Sequence, residues 1–139
     1  MLLEQVRRNS LAIISLVVAL TALGYNTWRN ELSEHNRNIR FAGFEMLLHA
    51  SELRRISYLA HYDRDSTQGN PRTGWVKVMV IRDLGMIMPQ TLQDSTERLV
   101  ATWEERWDGL GNDAAAIAAI ETALDEVRAG ILETLDALE

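Results

Sequence analysis

The chain has 139 residues, 14 Lys+Arg against 20 Asp+Glu, a formal net charge of −6, no cysteine, two prolines and 47% hydrophobic residues. That length sets one modest domain with a core of its own. The absence of cysteine excludes a disulfide framework, a thiol nucleophile and thiolate metal sites, and the acidic balance argues against a nucleic-acid partner, which calls for a basic footprint.

Met1–Arg8 reads as a short tail. From Asn9 to Trp28 no residue carries a charge, and the stretch from Leu11 to Leu23 is almost wholly aliphatic. About twenty residues at a rise of ~1.5 Å each span the ~30 Å hydrocarbon core of a bilayer. Arg7 and Arg8 mark one interface; Tyr25 and Trp28, followed by Arg29, mark the other. The competing reading is a cleaved signal peptide with Ala22-Leu23-Gly24 as its small-residue site. A retained transmembrane helix over residues 9–28 is preferred, because the chain beyond Gly24 runs without a turn signal into a further helical pattern. The arginine pair beside the tail, weighed against Arg29, Arg37 and Arg40, orients the tail to the cytoplasm. The expected location is therefore a bacterial inner membrane, single-pass, with residues 29–139 on the periplasmic side.

Beyond the span, a row at spacing seven holds Tyr25, Leu32, Ile39, Met46, Leu53 and Ala60, and a companion row three residues on holds Trp28, His35, Ala42, His49 and Ile56. Paired rows at three and four make the seam of a coiled coil or long bundle helix. Leu32, His35, Ile39, Met46, His49, Leu53 and Ile56 are the expected interaction seam. A second apolar face carries Phe41, Phe44, Leu48, Tyr58 and Tyr62. One helix is predicted to about residue 65, followed by a loop rich in turn formers from Asp65 to Gly74.

Residues 75–107 are predicted as helix, broken or kinked at Pro89, which supplies no amide hydrogen. Its strongly apolar start, Val76 to Ile81, has strand propensity but no second strand to pair with. Leu92, Thr96, Leu99, Trp103 and Trp107 then repeat at helical spacing. Gly109 and Gly111 interrupt, with Asn112 as the expected N-cap. Ile117, Ile120, Leu124, Val127, Ile131, Leu135 and Leu138 stripe a final helix over 112–138. The fold class that follows is all-α: a transmembrane helix continuous with the long helix of an up-down-up three-helix bundle filling residues 29–139. That path returns Trp103 and Trp107 to the level of Trp28, where they would join the membrane interface.

Candidate chemistry is sparse. His35 and His49 lie two heptads apart, about 21 Å along one helix, too far to share one ion; polar seam residues that set register are the plainer account. His61, Asp63 and Asp65 cluster beside the loop but lack the ligand count of a calcium site. Met79, Met86 and Met88 read chiefly as adaptable core filler. No spacing of nucleophile, base and acid and no phosphate-cradling glycine loop is present, so neither catalytic residues nor a bound cofactor or metal is expected, and the chain is not read as an enzyme.

At Tyr25-Asn-Thr-Trp-Arg-Asn-Glu31, followed by Glu34-His-Asn-Arg-Asn38, the chain resembles small uncharacterised single-span inner-membrane proteins of proteobacteria, chiefly over residues 10–50. The resemblance implies an inner-membrane anchor with a helical domain and carries no activity. The architecture is also similar to the helical sensory module of bacterial chemoreceptors, without their second span or signalling region. The expected role is that of an anchored interaction or accessory protein with the bilayer, and either a second copy or a larger membrane protein complex, as its partners. The alternative is a small-molecule-sensing module with a cavity near Met79–Met88.

Overall fold

In a computed structural model the structure describes residues 9–138, and the tail that holds Arg7 and Arg8 lies outside the described residues. The described residues are helical almost throughout and contain no strand. Helix α1 runs Ser10–Tyr58, α2 Pro71–Gly85, α3 Gln90–Arg106 and α4 Ala114–Asp136. The chain divides into two compact units, one ending at Arg37 and one beginning at Asn38.

In the first unit α1 is long and apolar enough to cross a membrane. Its aliphatic side chains stand exposed: Leu11 is 80% exposed, and Ile14, Leu16, Val18 and Leu23 are more than half exposed.

The second unit is built from four helix segments with legible local causes. The end of α1 widens into a π-helical turn, Leu59–Asp63, which Arg64 closes in the left-handed region at φ 52°. The Asp65 carboxylate then accepts the amides of Thr67 (2.8 Å) and Gln68 (3.0 Å), folding the loop back. Helix α2 starts at Pro71 rather than Trp75. Asn70 caps it by accepting the Arg72 amide at 3.0 Å, and Pro71 occupies a first-turn position where its missing N–H costs nothing. Met86 and Met88 donate to the carbonyls of Asp83 and Gly85, and the Pro89 carbonyl accepts the amides of Leu92 and Gln93. Pro89 thus sits at the head of α3, not inside a helix. At α4 the cap is Asp113, one residue after the expected Asn112, accepting the Ala115 amide at 2.8 Å.

The expected break at Pro89 is a full reversal, so the second unit has four bundle helices instead of three. Contacts fix the direction of each pair. Gly85 abuts Thr96 while Gly74 abuts Trp103, making α2 and α3 antiparallel. Gly130 abuts Leu92, and Arg98 pairs with Glu126 at 3.1 Å, making α3 and α4 antiparallel. Gly43 meets Leu135 and Ile131, and the Arg40 guanidinium donates to the Leu138 carbonyl at 2.9 Å, so α4 returns antiparallel to α1. The result is an up-down-up-down bundle closed around Met46, Leu53, Ile81, Leu99, Trp103 and Leu124, all essentially inaccessible to solvent.

Gly74 is where this packing is tightest. A Cβ there would overlap the Trp103 ring and touch the Leu53 side chain, so the residue opposite the largest core side chain has none of its own. Gly74→Ala is expected to destabilise the bundle by about 1–3 kcal/mol, the usual cost of overpacking. Val76→Ala, at a 63% exposed position on the same helix, should stay within ~0.5 kcal/mol. Chemical denaturation followed by Trp fluorescence checks both.

Candidate functional site

Ile39, Met46, Leu53 and Ile56 are buried, at 6% exposure or less, inside the chain's own bundle. They cannot be an interface to another protein while the bundle stands, and this part of the expected interaction seam is corrected to an intramolecular one. Its outer members differ: Leu32 and His35, in the first unit, are exposed. His49 is half-buried at the edge of the core, between Glu45 and Glu52 on its own helix, at 4.0 and 3.4 Å.

Glu52 also forms an ion pair with Lys77 of α2. The Lys77 ammonium, helped by His49, holds the Glu52 carboxyl below its usual range against the opposing effect of partial burial. His49, Glu45, Glu52 and Lys77 therefore form a polar clasp between α1 and α2. With an ammonium among its members the clasp is a poor cation site, and no group of three or more metal-ligating residues occurs among the described residues.

The expected membrane interface separates in the same way. Tyr25 and Trp28 are exposed in the first unit, with ring centroids 6.1 Å apart. Trp103 is 0% exposed and lies against Gly74, and Trp107 is half-buried against the core. Both lie toward the end of the bundle that holds the 64–70 loop, because α3 runs back to that end after the reversal at Pro89. Leu110 confirms the direction: its carbonyl accepts a hydrogen bond from His61 Nδ1 at 2.8 Å. Trp103 is corrected to a core residue of the second unit.

Asp65 and His61 beside the loop serve the fold. Asp65 caps the turn, and His61 is engaged by Leu110 and stacks edge-on with Tyr62 at 4.8 Å. Met88 is buried with its neighbours Val78 and Ile81, whereas Met86 is 71% exposed. Open surface depressions lie beside Arg64, Gly69 and Asn112, beside Ser51, Arg54 and Arg128, and beside Ser95, Arg98 and Glu133, away from Met79–Met88 where the sensing cavity was expected.

What the second unit leaves unsatisfied is a surface. Phe41 (66% exposed), Phe44 (63%), Leu48, Tyr58 and Tyr62 stand along the side of α1 opposite its buried row, with the two tyrosine rings 4.8 Å apart. Five large apolar side chains in one row exceed the scattered exposure ordinary for a monomer.

Comparison with protein-family models, curated proteins and solved structures found no match.

The clasp gives a titration with a defined sign. Because the folded-state pKa of Glu52 is lowered, its pairing with Lys77 contributes stability above the ordinary carboxylate pKa, and that contribution is lost as pH falls through the folded value. Lys77→Met should raise the Glu52 pKa back toward the model-peptide range. The accompanying loss of stability at neutral pH should stay below ~1 kcal/mol for so accessible a pair. Carboxyl-carbon NMR titration of both proteins reads the shift.

Proposed function

We propose that this chain is a membrane-anchored interaction protein: a single helical span that roots a four-helix bundle at the surface of a bacterial inner membrane, on the periplasmic side, where the bundle docks with other protein. The bilayer is its first partner. The second is either another copy of the chain or a subunit of a larger membrane complex. Such a role is a binding and assembly role, not a catalytic one.

The observation that carries this reading is apolar surface that the fold itself does not cover. From Leu11 to Leu23 the aliphatic side chains of α1 meet no protein, an environment that hydrocarbon satisfies and water does not. Further along the same helix the inner row is buried while Phe41, Phe44 and Leu48 point outward. The arginine pair Arg7 and Arg8 beside the short tail supports a cytoplasmic tail and a periplasmic bundle.

Two measurements test it. The full chain is expected to resist alkaline carbonate extraction from bacterial membranes, and a chain lacking residues 1–28 is expected to be released. A mild-detergent pull-down of the full chain should recover a second, differently tagged copy or a defined membrane protein. A carbonate-soluble full chain would contradict the anchor, and purification of the full chain with no associated protein would contradict the docking role.

A further inference from the structure

The exposed row on α1 has the spacing of a second seam. Phe41, Phe44, Leu48, Ser51, Arg55, Tyr58 and Tyr62 follow one another at three, four, three, four, three and four, the pattern by which one helix packs along another. We propose that the occupant of this face is a second copy of the same chain, docked in parallel about a two-fold axis running along α1. The proposal rests on the anchored-interaction reading above and names its partner.

Three observations select that occupant. The first is orientation. A chain held by one N-terminal span enters the membrane the same way in every copy, so two copies side by side meet with their α1 helices parallel.

The second is charge. On one flank of the row stand Arg40 and Arg54, and on the other Glu45 and Glu52. Arg54 and Glu52 are already engaged within the chain, with Asp125 and Lys77. Among the described residues Arg40 donates only to the Leu138 carbonyl, and Glu45 approaches only His49, at 4.0 Å. In a parallel pair the residue that precedes one seam position faces the residue five further along the other helix. Arg40 of each copy therefore falls opposite Glu45 of the other, twice by symmetry. The bundle repeats the same asymmetry on a larger scale. Helix α2, on the Glu flank, carries Arg72, Lys77 and Arg82 against Asp83; helix α4, on the Arg flank, carries Glu121, Asp125, Glu126, Glu133 and Asp136 against Arg128. A parallel two-fold sets each basic side beside the other's acidic side, whereas an antiparallel pair would set like beside like.

The third is size. With the five apolar side chains between 51% and 66% exposed, the row offers on the order of 500 Å² per copy, or about 1,000 Å² for the pair, the lower end of a specific interface. The one discordant layer is Arg55, whose guanidinium donates to Gln68 at 3.1 Å and is thereby drawn toward the loop. Phe41, Phe44 and Leu48 are then the centre of contact, with Tyr58 and Tyr62 closing its far end.

The cysteine-free chain makes the test direct. Single cysteines are placed at Leu48, Ser51 and Val76 of the full-length protein and oxidised in native membranes; a disulfide needs Cα atoms within about 7 Å. Leu48→Cys and Ser51→Cys should both give a covalent dimer, and Val76→Cys, exposed on α2, should not. Dimerisation at residue 51 with none at 48 would mean antiparallel pairing and overturn the proposal, since in that arrangement residue 48 faces residue 54. Failure at both 48 and 51 would overturn it as well, and an adduct of Leu48→Cys with a protein of another mass would assign the face to a different partner while leaving the docking role intact. As a second arm, Arg40→Glu should weaken the detergent-solubilised dimer by about tenfold, and Arg40→Glu with Glu45→Arg should restore it. An unchanged dimer in the single variant would contradict the pairing. Circular dichroism of each variant shows that the bundle is folded.

Discussion

The structure depends on the reversal between Gly85 and Pro89. If the apolar segment after the first loop continued as one helix, it would cover α1 along one side and leave the rest of the row from Ile39 to Ile56 open. The turn prevents this. Gly85 lets α2 approach the Thr96 side chain closely, the amides of Met86 and Met88 close on carbonyls behind them, and Pro89 opens α3 with the conformation it already prefers. Doubling the segment back places Trp103 over Gly74 and adds a fourth helix to the ring. The core can then close over the inner face of α1.

The remaining side is where structure and function meet. Inside, Met46, Leu53, Ile81, Leu99, Trp103 and Leu124 are shielded from water and account for the stability of the unit. At the edges, polar groups are used locally: Glu52 with Lys77 and His49, Arg54 with Asp125, Arg98 with Glu126. These accessible pairs add little energy and chiefly set which helix lies beside which. Outside, the aromatic row on α1 stands exposed, and α1 also carries an aliphatic stretch long and apolar enough to cross a membrane. A helix with one face committed to its own bundle and another left apolar suits a protein whose work is to hold something else.

Much of this was legible in the order of residues. The charge-free stretch, the loop around Asp65, the break at Pro89 and the stripe from Ile117 to Ile131 all carry strong local signals. The assignment of the two apolar rows on α1 was not legible, since periodicity reveals the faces but not which of them turns inward. The aromatic row carries the larger side chains, yet it lies outside. Small residues decide: Ala42, Gly43 and Ala50 let α4 and the core side chains approach the inner side closely, and Gly43 meets Leu135 and Ile131 directly. A row of phenylalanines would hold the helices apart. Trp103 was misplaced for a related reason. Its spacing marks an amphipathic helix, but its position along the bundle depends on whether Pro89 bends the chain or reverses it, and a proline permits both. At the start of α2, Asn70 and Pro71 are a cap and first-turn signal present in the sequence, masked by the turn-forming residues on either side.

The reversal can be measured by itself. Thr73 and Glu104 are both exposed, and each can carry a spin label in a chain that has no cysteine of its own. In the four-helix bundle the two positions flank the contact of Gly74 with Trp103 and lie at the same end, so pulsed electron resonance should give a single separation below about 25 Å, allowing for two helix radii and the label arms. A continuous or gently kinked helix across Pro89 would separate them by about 45 Å. The shorter distance is what the bundle requires. The longer one would undo the fourth helix, the closed core and the outward-facing row together.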